Sequence, residues 1–387
     1  MSEVQMIAPI RTWWRYWVSA ALVTGVVLFT SCSRQSNEIR IGWIGPLTGD
    51  AAPYGVSIQN GTNLAVAKIN SAGGIRGKKV RIVYEDDQAT PRLGTAAMQK
   101  LVAFDKPPVI IQAAASSVMV ANIPTAEANH VVYISPSCSS DKIREEKIRL
   151  NTKYIFRTWP SDSYQGEYLA QFAFNQLHAK NAGILYISNE YGAGMQSAFA
   201  AAFKRLGGHI VSQEAFSQGA SDFRTQLTKL KQQAPPVILL ASHYEEAAQI
   251  LRQAKELGLK SQFIADAALF SPELLKLAGK AANGLILTNP DWNPASEKPR
   301  IKNFVDSYST AYHQTPDVYA ASGYDLMMLL GDVMKSTGTS ADQIRRGLVG
   351  IRGYDGVTCR IEFDKTGEVQ AQYALYEIQH MTFVPYE

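Results

Sequence analysis

IRIGWIGPLTGDAAPYGVSIQNGTNLAVAKINSAGGIRGKKVRIVYEDD, residues 39–87, reads as one strand–loop–helix–strand unit. Residues 39–44 (IRIGWI) and 79–84 (KVRIVY) have the β-branched, alternating-to-apolar character of half- or fully buried strands. Between them, a loop at 45–55 leads into a helix that runs to Asn70. Two strands joined through a helix need a crossover, so they lie parallel with the helix packed on their sheet. Outward from this unit the pattern continues with a helix at 91–104 and strands at 109–112 and 131–135. It restarts after Arg157: strand 182–188, helix 193–206 ended by Gly207-Gly208, strand 209–215, helix 223–232, then strands 237–241, 264–266 and 285–288. The expected fold class is therefore α/β, with two lobes of mostly parallel sheet flanked by helices and a boundary near 157–163. Pro290, Pro294 and Pro299 break regular structure and mark a return of the chain, and residues 359–378 read as a hairpin turning at 364–367.

The 387 residues have room for two domains or three. Lys and Arg number 38 against 34 Asp and Glu, and a surplus of +4 without a basic block excludes nucleic acid as the main partner. With 46% hydrophobic and 19% charged residues the chain is not disordered. Three cysteines are too few for a disulfide scaffold.

Residues 1–31 read as a targeting segment. Arg11 and Arg15 precede a 14-residue apolar run, YWVSAALVTGVVLF at 16–29, of signal-peptide length and too short to span a bilayer. Phe29-Thr30-Ser31-Cys32 then resembles the bacterial lipoprotein cleavage box, with Phe where Leu is usual; the alternative is an ordinary signal followed by a chance cysteine. Acylation of Cys32 would anchor the chain through a polar tether at 32–38 and place it outside the cytoplasm, at a membrane face.

Ligands of open α/β sheets sit at the carboxyl ends of the strands. There the sequence places Ala113-Ala114-Ala115-Ser116-Ser117 after the third strand and Pro136-Ser137-Cys138-Ser139-Ser140 after the fourth. Small residues let a ligand approach the backbone, free amides at a helix start favour an anion, and serine hydroxyls add donors without charge. Such loops suit a small carboxylate; the same residues also serve as plain helix caps. Tyr54, Tyr191 and His243-Tyr244 lie in equivalent loops and suit a closing pocket. No HExxH, CxxC, GxSxG, Walker or GxGxxG motif is present, and the six histidines are scattered without metal spacing, so no enzyme, metal or cofactor is expected. Ser139-Ser140-Asp141-Lys142 and Lys365-Thr366-Gly367 match two of the three serine β-lactamase signatures, but S-D-N is missing.

Ile44-Gly45-Pro46-Leu47-Thr48-Gly49 with Tyr54-Gly55, then AKINSAGGIRG at 67–77 and Tyr84-Glu85-Asp86-Asp87, resembles the extracytoplasmic substrate-binding proteins of ABC transporters, in the branched-chain amino acid and amide group. The resemblance continues through Phe156-Arg157-Thr158, Asp162, Gln165-Gly166, Tyr191-Gly192-Ala193-Gly194, Asp222-Phe223, residues 250–259 and Ser271-Pro272-Glu273-Leu274. It implies a type I periplasmic binding fold, two Rossmann-like lobes joined by a three-crossing hinge. On that pattern the segments are 39–157 for lobe 1, 158–288 for lobe 2, 289–365 for the return to lobe 1, and 366–387 for a C-terminal hairpin returning to lobe 2.

It implies further that Ser116 and Ser139 grip a ligand carboxylate, helped by backbone near Ala114 and Ser137. Tyr54 would cover one side, with Tyr191, His243 or Tyr244, and Tyr319 closing the other. The acid that holds an α-ammonium corresponds to Asp266, one residue early in the alignment, so an amide, urea-like compound or aromatic acid is the alternative ligand. A sensor that signals to a receptor is the alternative to an importer component. The two positions that form a disulfide in some relatives are Ala89 and Ala115 here, and Cys138 and Cys359 are expected to stay reduced. The expected partners are a small carboxylate-bearing solute, most simply an amino acid, an ABC permease and, through the anchor, a membrane; the protein is expected to act as a monomer.

Overall fold

The computed structural model describes residues 38–386 apart from 291, 365–366 and 370–372; the expected targeting segment at 1–31, Cys32, and Lys365-Thr366 lie outside the described residues. Two sheets result from the alternation of strand and helix. In the first, β1 (Glu38–Gly45), β2 (Lys79–Asp86), β3 (Val109–Gln112), β4 (Val132–Ser135) and β5 (Ile155–Arg157) are ordered β2-β1-β3-β4-β5. All four pairings are parallel, β1 and β2 in register from Glu38 opposite Lys79 to Gly45 opposite Asp86. β3, β4 and β5 are buried on both faces, as their unbroken apolar runs require. The crossovers are α1 (Ala52–Ser71), α2 (Pro91–Lys100), α3 (Ser116–Ala128) and α4 (Asp141–Leu150).

After Arg157 the chain leaves this sheet through α5 (Asp162–Gln171) and builds a second one. Its parallel part comprises β6 (Asn181–Ile187), β7 (His209–Phe216), β8 (Val237–Ala241), β9 (Gln262–Ala265) and β10 (Ile286–Pro290), with α6 (Glu190–Arg205), α7 (Arg224–Gln233), α8 (Tyr244–Glu256) and α9 (Pro272–Ala278) between strands. Beyond Pro290, α10 (Pro299–Tyr312) and α11 (Val318–Thr337) pack back on α1 of the first lobe, and α12 (Ala341–Val349) packs on α11. The α1–α11 contact is backbone-close: a Cβ on Gly61 would sit 1.9 Å from the Ala320 carbonyl oxygen, and one on Gly323 would sit 2.5 Å from that of Ile58.

The hairpin expected at 359–378 is only partly formed. The residues flanking its turn do pair, with Asp364 N–H donating to Glu368 O (2.9 Å) and Phe363 bridging Val369. Its arms diverge. β12 (Arg360–Glu362) pairs backward with β11 (Arg352–Asp355), whereas β13 (Tyr373–Gln379) adds antiparallel to β10 and turns into β14 (Thr382–Pro385). The open edge of β10 offers a row of unpaired backbone groups, and covering it outweighs the local hairpin.

The first and third connections between the lobes are tied together by charge. Arg157 is fully buried; its guanidinium donates to Ser139 O (2.7 Å) and Ser140 O (3.0 Å), and pairs with Glu368. Lys147 Nζ reaches the other Glu368 oxygen at 3.1 Å. Replacing Arg157 with Met leaves Glu368 and two carbonyls without their donor. We expect Arg157→Met to cost about 3–5 kcal/mol of folding free energy in urea denaturation. A loss below about 1 kcal/mol would show that the crossings are held by something else.

Candidate functional site

The hydroxyl loops at the carboxyl ends of β3 and β4 meet in a turn of unusual backbone. Ala114 (φ 52°) and Ala115 (φ 54°) are consecutive left-handed residues, a conformation that costs about 1–2 kcal/mol for each L-residue. The layer beneath holds the turn in place. Gln112 Nε2 donates to the carbonyls of Ala113 (3.2 Å) and Ala114 (3.3 Å) and to Asp87 Oδ2 (2.9 Å), while Tyr133 OH donates to Gln112 Oε1 (2.5 Å). α3 then starts at Ser116, with no side-chain cap from Ala115; Val118 N donates to Ala115 O (3.0 Å), which leaves the amides of Ser116 and Ser117 without an intrahelical acceptor.

Ser116 Oγ accepts from Ser139 N (3.2 Å) and Ser140 N (3.3 Å), which joins the two loops and leaves its O–H as a donor. Ser137 Oγ accepts from Ala114 N (2.9 Å), and the buried Cys138 thiol, pushed up to about 12 by burial, donates to Ala114 O (3.0 Å). Ser140 caps α4 through Lys142 N, and Lys142 is exposed and paired with Glu145; the S-x-x-K match is a helix start.

From the other side come aromatic rings and one acid. Tyr54, in the first turn of α1, is the centre: its ring lies 5.7 Å from His243, 5.0 Å from Tyr244 and 5.0 Å from Tyr319. Tyr191 stacks on His243 (8°), and Trp159 on Tyr319 (13°). Tyr54 OH donates to Ala268 O (3.0 Å) and accepts from Tyr244 N (3.0 Å); Tyr244 OH donates to Asp50 O (3.2 Å) and Tyr319 OH to Ala267 O (3.4 Å). Every one of these bonds joins the first lobe to the second, so the cleft is closed. Asp266, buried at the carboxyl end of β9, accepts from Tyr191 OH at 2.7 Å. Burial raises its carboxyl to about 6 despite that bond, and desolvation holds His243 below its ordinary value.

These groups enclose a cavity of about 60 Å³. A water needs about 10–15 Å³ of such space, so the cavity suits a compact solute and not a peptide or nucleotide. Tyr54, Ala114, Ser116, Ser137, Ser139, Tyr191, His243, Asp266 and Tyr319 all line it. Tyr244 does not; it stands behind Tyr54 and holds the lobes together. Ala89 and Ala115 are part of the wall. Trp159, Asn189 and Gln218 also line it and were not singled out from sequence. They follow the carboxyl ends of β5, β6 and β7, so the strand-end rule that pointed to the serines reaches them too. Among the described residues, no group of His, Cys, Asp and Glu is gathered that could hold a metal ion.

A family profile described as periplasmic binding protein matches residues 38–381. The chain belongs to the periplasmic binding protein family. It is 30% identical over 288 residues to the Leu/Ile/Val-binding protein of Escherichia coli (strain K12), covering 74% of this chain and 77% of that one. The crystal structure of a leucine binding protein from Thermotoga maritima matches with a TM-score of 0.83 at 26% identity, over 90% of this chain and 98% of the other. A branched-chain amino acid transporter substrate binding protein from Streptococcus pneumoniae, solved in complex with isoleucine, matches with a TM-score of 0.81 at 26% identity, over 90% and 100%. These likenesses establish the type I periplasmic binding fold, a family of extracytoplasmic ligand-binding proteins rather than enzymes.

Among the hydroxyls that bond across the cleft, that of Tyr54 is both donor and acceptor. Tyr54→Phe removes both bonds, each worth about 0.5–1.5 kcal/mol. Small-angle scattering should show a larger radius of gyration for the variant than for the parent; equal radii would mean that the closed geometry does not depend on Tyr54.

Proposed function

We propose that the cavity binds a compact α-amino acid, branched-chain or similar, and that closure around it presents the liganded form to an ABC permease, with the protein acting as a monomer anchored through an acylated Cys32. The observation that carries the ligand class is the division of charge in the cavity. Asp266, from the second lobe, is the one charged side chain in the described lining, and the wall from the first lobe is built of serine hydroxyls and helix-start amides. A carboxylate fits the donor wall, an ammonium fits Asp266, and a zwitterion fits only when both lobes are present. Leu/Ile/Val-binding relatives and the isoleucine-bound neighbour support the same class.

A thermal-shift screen of the unfolded-and-refolded domain against amino acids, short amides and aromatic acids tests the ligand class. Ligand at a hundred times its dissociation constant adds about 2.7 kcal/mol, a shift of several degrees. Shifts confined to amine-free acids or amides would retire the amino-acid assignment. Within the amino-acid class, Ser116→Ala should weaken binding about ten- to a hundred-fold, because it loses a hydrogen bond to a charged group; unchanged affinity would remove Ser116 from the carboxylate site.

The pH dependence has a definite sign. Asp266 is raised in the unliganded fold, so the native state holds its proton more tightly than the unfolded chain does, and ionising it opposes folding as pH rises through about 6. A ligand ammonium reverses this by favouring the ionised carboxylate. Affinity for an amino acid should therefore fall about tenfold between pH 7 and pH 5 by calorimetry. Asp266→Asn should flatten that profile, weaken binding, and stabilise the unliganded protein at pH 7 by up to about 3 kcal/mol. A profile unchanged in the variant would exclude Asp266 as the ammonium partner.

A further inference from the structure

In the first sheet all strands run the same way, so their amino ends form a single pole, opposite the ligand loops. The chain enters this pole at Glu38, six residues after Cys32, a reach of about 20 Å at full extension. The pole also carries the most exposed large apolar side chain among the described residues. Phe104, just before β3, is 81% exposed, and Ile148, in the last turn of α4 before β5, is 66% exposed. The same pole holds Lys78 and Lys79 at the start of β2, Lys106 before β3 and Lys153 before β5. None of these four lysines is in an ion pair among the described residues. The acids of the pole are engaged instead: Asp105 with Arg40 (3.3 Å), Glu38 with Arg81 (3.8 Å), and Glu127 with the amides of Lys153 and Tyr154.

We infer that this pole is a membrane-contact surface, which seats on anionic phospholipid by inserting Phe104 among the headgroups while the four lysines face the phosphates. It rests on the Cys32 anchor proposed above, which would keep the pole within reach of the bilayer. A phenylalanine left in water beside unpaired lysines suits the headgroup region, which solvates both. The four lysines spread across a five-stranded sheet of roughly 20 Å, so they meet a surface and not a pocket.

The mature protein contains three tryptophans, Trp43, Trp159 and Trp292, all buried, so Phe104→Trp introduces a reporter on the surface. Full-length protein carrying this substitution is purified from membranes, acylation of Cys32 is read by mass spectrometry, and the protein is reconstituted on phosphatidylcholine vesicles with or without phosphatidylglycerol. We expect the added emission to shift blue and to be quenched by spin-labelled lipid on the anionic vesicles, and to return to the solvent-exposed signal at high salt. Charge reversal of Lys78, Lys79, Lys106 and Lys153 to Glu should abolish the shift while the protein still co-floats and its ligand-induced thermal shift is unchanged.

A protein that co-floats through its lipid without any change at position 104 would overturn the surface and leave the anchor standing. If Cys32 carries no lipid, the anchor has failed independently, and the pole is tested by sedimentation of the unanchored domain with anionic vesicles. Each lysine should then contribute about fivefold to binding, and absence of binding overturns the proposal. Vesicle-free self-association of the parent, lost on the same charge reversal, would assign the pole to a second copy of the chain and overturn it as well.

Discussion

The buried guanidinium of Arg157 is the constraint from which the site follows. It sits where the chain first leaves the five-stranded sheet, and it accepts no alternative state, because an arginine side chain keeps its charge inside the protein. Its donors are divided between Glu368 on the third crossing and the carbonyls of Ser139 and Ser140. The same contacts that close the hinge therefore set the second hydroxyl loop, which through Ser116 Oγ sets the start of α3. Lys147 shares Glu368, and burial lowers its pKa, a sign that the pair is kept for position and not for an abundance of Coulomb energy.

The cavity is made of two halves that differ in what they cost. On the first lobe the expense is backbone conformation: Ala114 and Ala115 are held left-handed, and the Asp87–Gln112–Tyr133 network is fully engaged in holding them. On the second lobe the expense is a desolvated carboxyl, Asp266, which burial raises although Tyr191 OH and nearby backbone amides stabilise its charge. On the proposed reading, the donor-rich half would take the anionic end of a ligand, and the half with the acid would gain only when a cation arrives, so the ammonium would be the part that rewards closure. Asp325 is a buried carboxylate with more donors: it accepts from Val357 N, Thr358 N and Thr358 Oγ1 and ties the turn between β11 and β12 to α11, and burial raises it to about 6 as well.

What could be seen in the sequence was whatever local chemistry dictates. The strand runs at 39–44, 109–112 and 237–241 needed no tertiary information, and neither did the small, hydroxylated loops that follow strands. α11 was not legible, because it is buried around almost its whole circumference and so shows no amphipathic period. α3 carries Pro124 inside it and was hidden for a related reason. Residues 359–378 alternate as a hairpin would, yet their partners are β11 and β10, and alternation says nothing about which edge a strand will meet. His243 and Tyr244 could not be told apart by spacing; the cap geometry of α8 turns the first to the cavity and the second to Asp50. Trp159 sits in the crossing between Arg157 and Asp162, where no strand or helix period marks a side chain as facing the cavity.

Parallel sheets separate the ends of a lobe by function, since every strand starts at one pole and delivers its loop to the other. With Cys32 acylated, the strand-start pole of the first lobe can stand on the bilayer with the cleft held away from it, open to solute. If the protein docks on a permease with the cleft's mouth turned to the membrane, as the proposed function would have it, Glu38 is raised by about the radius of a lobe. For roughly 170 residues that radius is about 20 Å, close to the most that six residues can span, about 20 Å. Both postures are accessible on one tether, but only if the standing one is easily left. Four lysines at about 1 kcal/mol each beside an anionic surface, screened at physiological salt, and a single phenylalanine give a hold of that reversible kind. For a protein so anchored, a larger apolar patch would favour the posture on the bilayer over the one turned to a permease.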